Sequence, residues 1–153
     1  LRFYEGIIHE DELFTFQLLL QSERVKHLKQ TLFHRRIRSG STMTGKHFYR
    51  SFCGYKTVFQ EMLKFKKSQS ITEGALANAV YKKIGYIYGS MLNRYCYLQR
   101  KEQKENKALM NKLKKIAAQN GYFNRKEYLL FHYSSFLYCL LRKLYDWSKQ
   151  IFR

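Results

Sequence analysis

The sequence predicts an all-α fold, with a basic N-terminal extension and a long basic helix followed by a small C-terminal helical domain. The chain of 153 residues contains no proline and only 8 glycines, so residues that break helices are confined to a few places. Between those places, apolar residues recur at the spacing of helix turns.

The N-terminal part is predicted to contain one helix and a basic arm. Apolar residues from Leu13 to Leu32 recur at near-helical spacing, and a basic run leads from them into the Gly/Ser/Thr-rich stretch 39–45. That stretch is expected to be a loop or an extended arm. A short helical segment follows, and we expect Gly54 and Tyr55 to interrupt it.

A very long helix is predicted next, from Ala75 to about Gln119, because no strong stop signal lies within it. Ser70 or Thr72 would cap its start. The tract Arg100–Lys107 is polar on every face, so it must be solvated or covered by a polar partner. Asn120 and Gly121 form a good helix end.

The C-terminal part is predicted to be compact. The stripe Leu109, Leu113 and Ile116 can join a core. A final helix from about Asn124 to Ile151 would bring its leucines to one side. These are Leu130, Leu137, Leu141 and Leu144. We therefore expect two parts, an extension over residues 1–70 and a helical domain over residues 71–153.

The charge of the chain points to a polyanionic partner. The formal net charge is +18, and Glu5, Glu10, Asp11 and Glu12 crowd four of the 11 acidic residues into the N-terminal segment. Such an excess repels itself unless a polyanion lies against it, and nucleic acid is the commonest such partner. Thirteen Tyr and twelve Phe are interleaved with the bases, and some rings could stack on unpaired bases. The alternative is that the cations decorate solvated helix faces.

The cysteines do not suggest a disulfide framework or a metal site. Cys53, Cys96 and Cys139 are odd in number and widely spaced, which favours reduced thiols. No zinc-binding spacing occurs among them and the histidines. We expect no metal and no cofactor.

Neither catalysis nor membrane insertion is indicated by the sequence. The acidic residues after the N-terminal segment form no close pair for acid–base chemistry, and no Gly-rich phosphate loop is present. We therefore expect no enzyme and no small-molecule substrate. No segment is long enough to span a bilayer, and the apolar run Leu129–Leu141 is predicted to be a buried helix.

A set of collinear motifs resembles a known family. The run Ala79–Tyr88, AVYKKIGYIY, resembles the A-V-x-K-x-x-x-Y-x-Y helix of the twentieth protein of the bacterial-type large ribosomal subunit. The family's later elements are resembled, in order, by Arg94–Lys107, Ala108–Ala118, Gly121, Tyr128–Phe131 and Leu141–Asp146. Order and approximate spacing agree over residues 75–148. The chain departs from the family at Met110, where the family has Trp, and in a longer basic stretch.

The resemblance implies a protein that threads an arm and a long helix between rRNA helices and docks a small helical domain on 23S-like rRNA. Its work would be subunit assembly and stabilisation. The RNA contacts expected in the arm are Arg35, Arg36, Arg38, Lys46, Arg50 and Lys56. Those expected along the long helix are Lys82, Lys83, Arg94, Arg100, Lys101, Lys104 and Lys107. The last of the resembled elements, Leu141–Asp146, adds Arg142 and Lys143 as expected RNA contacts. Alternatively, these two residues could pair with Asp146 or cap the helix.

The family resemblance and the composition also predict the partners of the chain and its compartment. The partners would be large-subunit rRNA and neighbouring ribosomal proteins, the latter through the acidic N-terminal segment, with no membrane. Insertions relative to the bacterial pattern, a start at Leu1 and an AT-rich type of composition indicate a mitochondrial protein, with a plastid or the bacterial cytoplasm as alternatives.

Three other functions compete with this one. The first is a lineage-specific organellar ribosomal subunit without that homology. The second is a DNA-binding regulator with a helix-turn-helix near Thr72–Leu92. The third is an accessory subunit of a membrane complex, suggested by the aromatic content and the apolar run.

Overall fold

A computed structural model describes residues 1–34, 47–122, 130–131 and 133–151 of the chain. These residues form helices joined by turns and contain no strand, so the predicted all-α fold is confirmed for this part of the chain. The helices are α1 (Glu10–Gln21), α2 (Phe48–Ser68), α3 (Gly74–Tyr95), α4 (Arg100–Gln119) and α5 (Ser135–Ile151).

Helix α1 is shorter than the predicted helix over 13–32. Three acidic residues occupy its first turn, where they stabilise the positive end of the helix dipole. Leu13 and Phe16 are buried, and the helix ends at Gln21. Beyond it, Leu28 and Leu32 are 52% and 74% exposed. A helix in this stretch would therefore lack the tertiary packing that stabilises most short helices.

Helix α2 runs through Gly54 and Tyr55 without the predicted interruption. Gly54 is buried, and a Cβ atom built on it would lie 2.2 Å from the backbone oxygen of Ile8. The glycine is needed because the segment leading into α1 crosses α2 in backbone contact at this point. The sequence alone could not distinguish such a crossing from a helix break.

The predicted single helix from Ala75 to Gln119 is two helices. Helix α3 begins after Glu73, not at a Ser70 or Thr72 cap, and ends at Tyr95. The turn that follows buries Cys96 and Leu98. This turn reverses the chain direction and lets the apolar side of α4 join the core, whereas a straight helix would leave it in water.

Helices α3 and α4 are antiparallel. Gln103, near the start of α4, bonds to Tyr95 at the end of α3. Tyr122, just beyond α4, contacts Tyr81 near the start of α3, with 5.6 Å between ring centroids. The end of α4 is formed as predicted, since α4 ends before Asn120 and Gly121 has a left-handed φ of +65°.

One hydrophobic core joins the two parts of the chain that were expected to be separate. Residues of α1, α2, α3 and α4 belong to a single buried cluster, together with Tyr122, Phe131 and Tyr138. Phe59 of α2 and Tyr88 of α3, for example, are both fully buried with ring centroids 5.3 Å apart. Residues 48–68 are therefore not part of an extension, because α2 and α3 each bury their apolar face against the other.

The expectation of reduced thiols is wrong for one pair. Cys96 and Cys139 are joined by a disulfide, with 4.9 Å between their Cα atoms, whereas Cys53 is free. Beside the disulfide, the hydroxyl of Tyr138 donates to Asn93 Oδ1 at 2.7 Å. The fold brings these positions together although 43 residues separate the cysteines in sequence.

The leucines of α5 do not form the predicted buried stripe. Leu137, Leu141 and Leu144 are 41%, 47% and 51% exposed, and Leu130 is half-buried. The reason is that α5 meets the core through a different side of the helix, which carries Tyr138, Cys139 and Asp146. The predicted start near Asn124 lies outside the described residues.

Candidate nucleic-acid interface

Helix α4 is well defined at both ends by local interactions. At its start, the Glu102 carboxylate accepts a hydrogen bond from the backbone N–H of Gln99 at 2.8 Å. At its end, the N–H groups of Gly121 and Tyr122 donate to the carbonyls of Ala118 and Ala117. These contacts satisfy backbone groups that a helix end would otherwise leave without partners.

One side of α4 packs on the core. Met110, Leu113 and Ala117 are buried at i, i+3 and i+7, which is the predicted stripe shifted slightly around the helix. In the polar first half, Gln103 Nε2 donates to the Tyr95 carbonyl at 3.0 Å, and the Tyr95 hydroxyl donates to the Gln103 carbonyl at 3.2 Å. These two hydrogen bonds attach the polar first half of α4 to the end of α3, although this half has no apolar side to bury.

The opposite side of α4 carries only cations among its charged residues. At 100° per residue, six basic residues fall within an arc of about 140°, and Glu102 and Glu105 lie outside or at its edge. All six are exposed. We call this set the α4 basic face: Arg100, Lys101, Lys104, Lys107, Lys112 and Lys115.

The α4 basic face forms no ion pair with the residues that the structure describes. The salt bridges among the described residues join Lys64 to Glu61, Lys83 to Glu12 and Arg142 to Asp146, and none uses a residue of this face. From Arg100 to Lys115 the face extends about 22 Å along the helix axis. A row of cations of this length is of the kind that contacts phosphates in nucleic-acid-binding proteins.

Four of the six residues were predicted from the sequence, and two were missed. Arg100, Lys101, Lys104 and Lys107 were expected along the long helix. Lys112 and Lys115 continue the same face, and a helical projection of α4 would have found them. Lys114 looks equivalent in sequence but turns inward: its ammonium lies 5.0 Å from the Phe131 ring centre, and burial lowers its pKa.

The predicted arm contacts are only partly described. Arg35, Arg36, Arg38 and Lys46 lie outside the described residues. Arg50 is exposed near the start of α2. Lys56 is half-buried, with its ammonium 5.9 Å from the Phe52 ring centre.

Three predicted contacts on α3 lie apart from the α4 basic face in different environments. Lys82 is exposed. Lys83 pairs with Glu12 of α1, so one acid of the N-terminal segment acts within the chain. Arg94 is half-buried. The pKa of His9 is lowered mainly by the burial of His9 itself and further by the positive charge of Arg94.

The two predicted contacts on α5 differ from each other. Arg142 Nε pairs with Asp146 at 3.2 Å, which is the alternative that the sequence left open. Asp146 also accepts a hydrogen bond from the Tyr97 hydroxyl, and burial together with this bond raises the pKa of Tyr97 to about 12. Lys143 is exposed and lines a cleft together with Arg100.

Among the described residues, no group of three or more His, Cys, Asp or Glu side chains could hold a metal ion. None of the described helices combines the length and the apolar character needed to cross a bilayer.

Comparisons of the chain with protein-family models, with curated proteins and with solved structures find no match.

Proposed function

We propose that this chain is a structural RNA-binding protein, a constituent of the large ribosomal subunit that binds and stabilises 23S-like rRNA during assembly. The observation that carries the RNA-binding part is the α4 basic face. Its cations repel one another along the helix, and a row of phosphates would relieve that repulsion while releasing counterions.

The proposed mode of binding is contact with the RNA backbone. The α4 basic face is a convex helix surface with alanine and asparagine between its cations, at Ala108, Asn111 and Ala118. Long, flexible Lys and Arg side chains on such a surface can reach phosphates on either side of the helix. Binding of this kind follows RNA shape and is largely independent of base sequence.

The ribosomal part of the proposal rests on the family resemblance over residues 75–148. The basic stretch of that resemblance, Arg94–Lys107, overlaps the first half of α4. We place the protein in the mitochondrial matrix because of its composition and its insertions relative to the bacterial pattern. Neighbouring ribosomal proteins would be further partners.

A helix-turn-helix regulator fits the described residues less well. The region Thr72–Leu92, where that motif was considered, contains the uninterrupted helix α3 from Gly74 onward. A recognition helix there would also have to leave the core, since Ile84, Ile87 and Tyr88 of α3 are fully buried.

The identity of the RNA is tested by crosslinking the native protein in its own cells and sequencing the nucleic acid recovered. We expect large-subunit rRNA, and co-sedimentation with ribosomal particles in detergent until high salt releases the protein. Recovery of DNA, or of no nucleic acid, would overturn the proposal. Retention with membranes after the RNA is digested would favour the membrane-complex alternative.

The role of the α4 basic face is tested with the purified chain and an RNA hairpin. Lys104→Gln, Lys107→Gln and Lys115→Gln together should weaken binding and flatten the dependence of log K on log salt by about 2 to 3, since each phosphate contact contributes roughly 0.7–0.9 to that slope. The matched control replaces Lys64, Lys67 and Lys149, which are exposed elsewhere, by Gln. Equal losses in both triple variants would contradict a localised interface.

A further inference from the structure

A cleft lies between the beginning of α4 and the first half of α5. Its volume is about 370 Å³, within the range of sites for small ligands and nucleotides. Its lining residues come from the end of α3, the following turn, α4 and α5. They include Tyr95, Arg100, Gln103, Phe136, Cys139 and Lys143.

Two exposed cations and an exposed ring meet at this cleft from different helices. Arg100 comes from the first turn of α4, and Lys143 comes from the middle of α5. Neither takes part in a salt bridge among the described residues, although the Lys143 ammonium lies 5.8 Å from the Tyr97 ring centre. Phe136 lies on the same side of α5 as Lys143, two turns earlier, and is 78% exposed.

The floor of the cleft is held in place by contacts that do not use these three side chains. The Cys96–Cys139 disulfide ties α5 to the turn after α3. The reciprocal hydrogen bonds of Gln103 and Tyr95 fix the start of α4. The backbones that carry Arg100, Phe136 and Lys143 are therefore positioned before any ligand arrives.

A second cavity offers a useful contrast. It has a volume of about 490 Å³ and lies between the end of α2 and the end of α4. Its Lys66 ammonium already lies 4.0 Å from the Tyr81 ring centre, and its Tyr122 ring is fully buried. No aromatic face is open to a ligand there, so it lacks the combination found in the α4–α5 cleft.

We propose that the α4–α5 cleft binds one unpaired nucleotide of the RNA partner. The base would stack on the Phe136 ring, and Arg100 and Lys143 would contact the phosphates on either side of it. Stacking on an exposed ring beside phosphate-binding cations is how proteins hold unpaired bases, and it requires no particular base. This inference rests on the proposed RNA-binding function and adds a preference for bulged over fully paired RNA.

The test compares two RNA hairpins, one fully paired and one with a single bulged 2-aminopurine nucleotide, titrated with the full chain. We expect tighter binding of the bulged hairpin and a change in 2-aminopurine fluorescence. Phe136→Leu should weaken binding of the bulged hairpin about 5- to 150-fold, the range for loss of one base–ring stack, and leave the paired hairpin unaffected. Phe136→Tyr should restore the preference.

The control variant is Trp147→Leu, which removes another exposed ring of α5 that does not line the cleft. It should bind both hairpins like the unaltered chain. Arg100→Gln with Lys143→Gln should weaken the bulged hairpin more than the paired one.

Failure of this inference and failure of the proposed function are distinguishable. If Phe136→Leu changes neither hairpin, or both equally, the cleft proposal is overturned, while weakening of both by the α4 triple variant still supports the proposed function. If the unaltered chain binds neither hairpin, both proposals fail. Fluorescence that does not change on binding the bulged hairpin also overturns the cleft proposal.

Discussion

Helices α4 and α5 are both amphipathic, yet they present opposite faces to the surroundings. Helix α4 buries Met110, Leu113 and Ala117 and exposes cations. Helix α5 exposes most of its large apolar side chains. These are Phe136, Leu137, Leu140, Leu141, Leu144, Tyr145 and Trp147, each at least 41% exposed. A strong amphipathic pattern therefore predicts a helix but does not decide which side faces the core.

The difference lies in what attaches each helix. Helix α4 is held by apolar burial over its second half. Helix α5 is held by the buried Tyr138 ring, by the Cys96–Cys139 disulfide and by the polar contacts of Asp146. The attachment of α5 therefore depends on a few specific bonds, whereas that of α4 depends on area removed from water.

The largest expected difference comes from truncating one leucine in each helix. Leu113→Ala in α4 should lower the free energy of unfolding by about 2–5 kcal/mol, because it leaves a cavity in a packed core. Leu144→Ala in α5 should change it by less than about 0.5 kcal/mol, because the side chain is largely exposed. Urea unfolding followed by circular dichroism measures both. Equal losses would mean that α5 buries its apolar face after all.

Removal of the Cys96–Cys139 disulfide should have the second largest effect on the free energy of unfolding. Cys96→Ser should lower the free energy of unfolding by about 2–4 kcal/mol, because the cross-link restricts the unfolded chain. Hydrogen exchange should show α5 losing protection before α4 does. Cys53→Ser is the matched control, since this thiol is free and its replacement leaves the cross-link intact. If α4 and α5 lose protection together in Cys96→Ser, the two helices are not attached independently.

The Tyr97–Asp146 hydrogen bond should have a smaller effect, and it depends on pH. Tyr97→Phe should cost about 1–2 kcal/mol at neutral pH. The folded state raises the pKa of Tyr97 from its ordinary 10.0 to about 12, so the neutral phenol is favoured in the fold. Its stabilisation is complete below pH 10 and is lost as the pH rises towards 12.

That alkaline loss is measured as the difference in unfolding free energy between the unaltered chain and Tyr97→Phe at successive pH values. The difference should shrink between pH 10 and pH 12. A difference that stays constant over this interval would show that the phenol proton does not support the α5 attachment. Tyr4→Phe, at a hydroxyl-bearing ring that is 43% exposed, is the control.

The smallest effect on stability is expected from the α4 basic face. Lys104→Gln, Lys107→Gln and Lys115→Gln together should change the free energy of unfolding by less than about 0.5 kcal/mol per site, with a net gain at low salt because like charges are removed. Thermal unfolding at low and high salt measures this. A large loss would mean that these side chains support the fold. Weaker RNA binding by the same variant could then result from unfolding and would not show that the face contacts RNA.

Much of α4 could be predicted from the sequence. Its C-terminal end, its stripe and its polar tract depend on residues within three or four positions of each other, and such local relations are visible in a sequence. The division between α3 and α4 was missed because no proline or glycine marks it. That turn exists because Cys96 and Leu98 are buried by residues distant in sequence.

The sequence by itself determined that the chain is helical, that its charge is strongly positive, and that α4 ends at Asn120 and Gly121. These follow from composition and from local backbone preferences. Only the tertiary structure decided that residues 48–68 belong to the core, that Cys96 meets Cys139, and that α5 turns its leucines outward. Each of these depends on which surfaces meet between segments far apart in the chain, and the periodicity of one segment does not specify its partner.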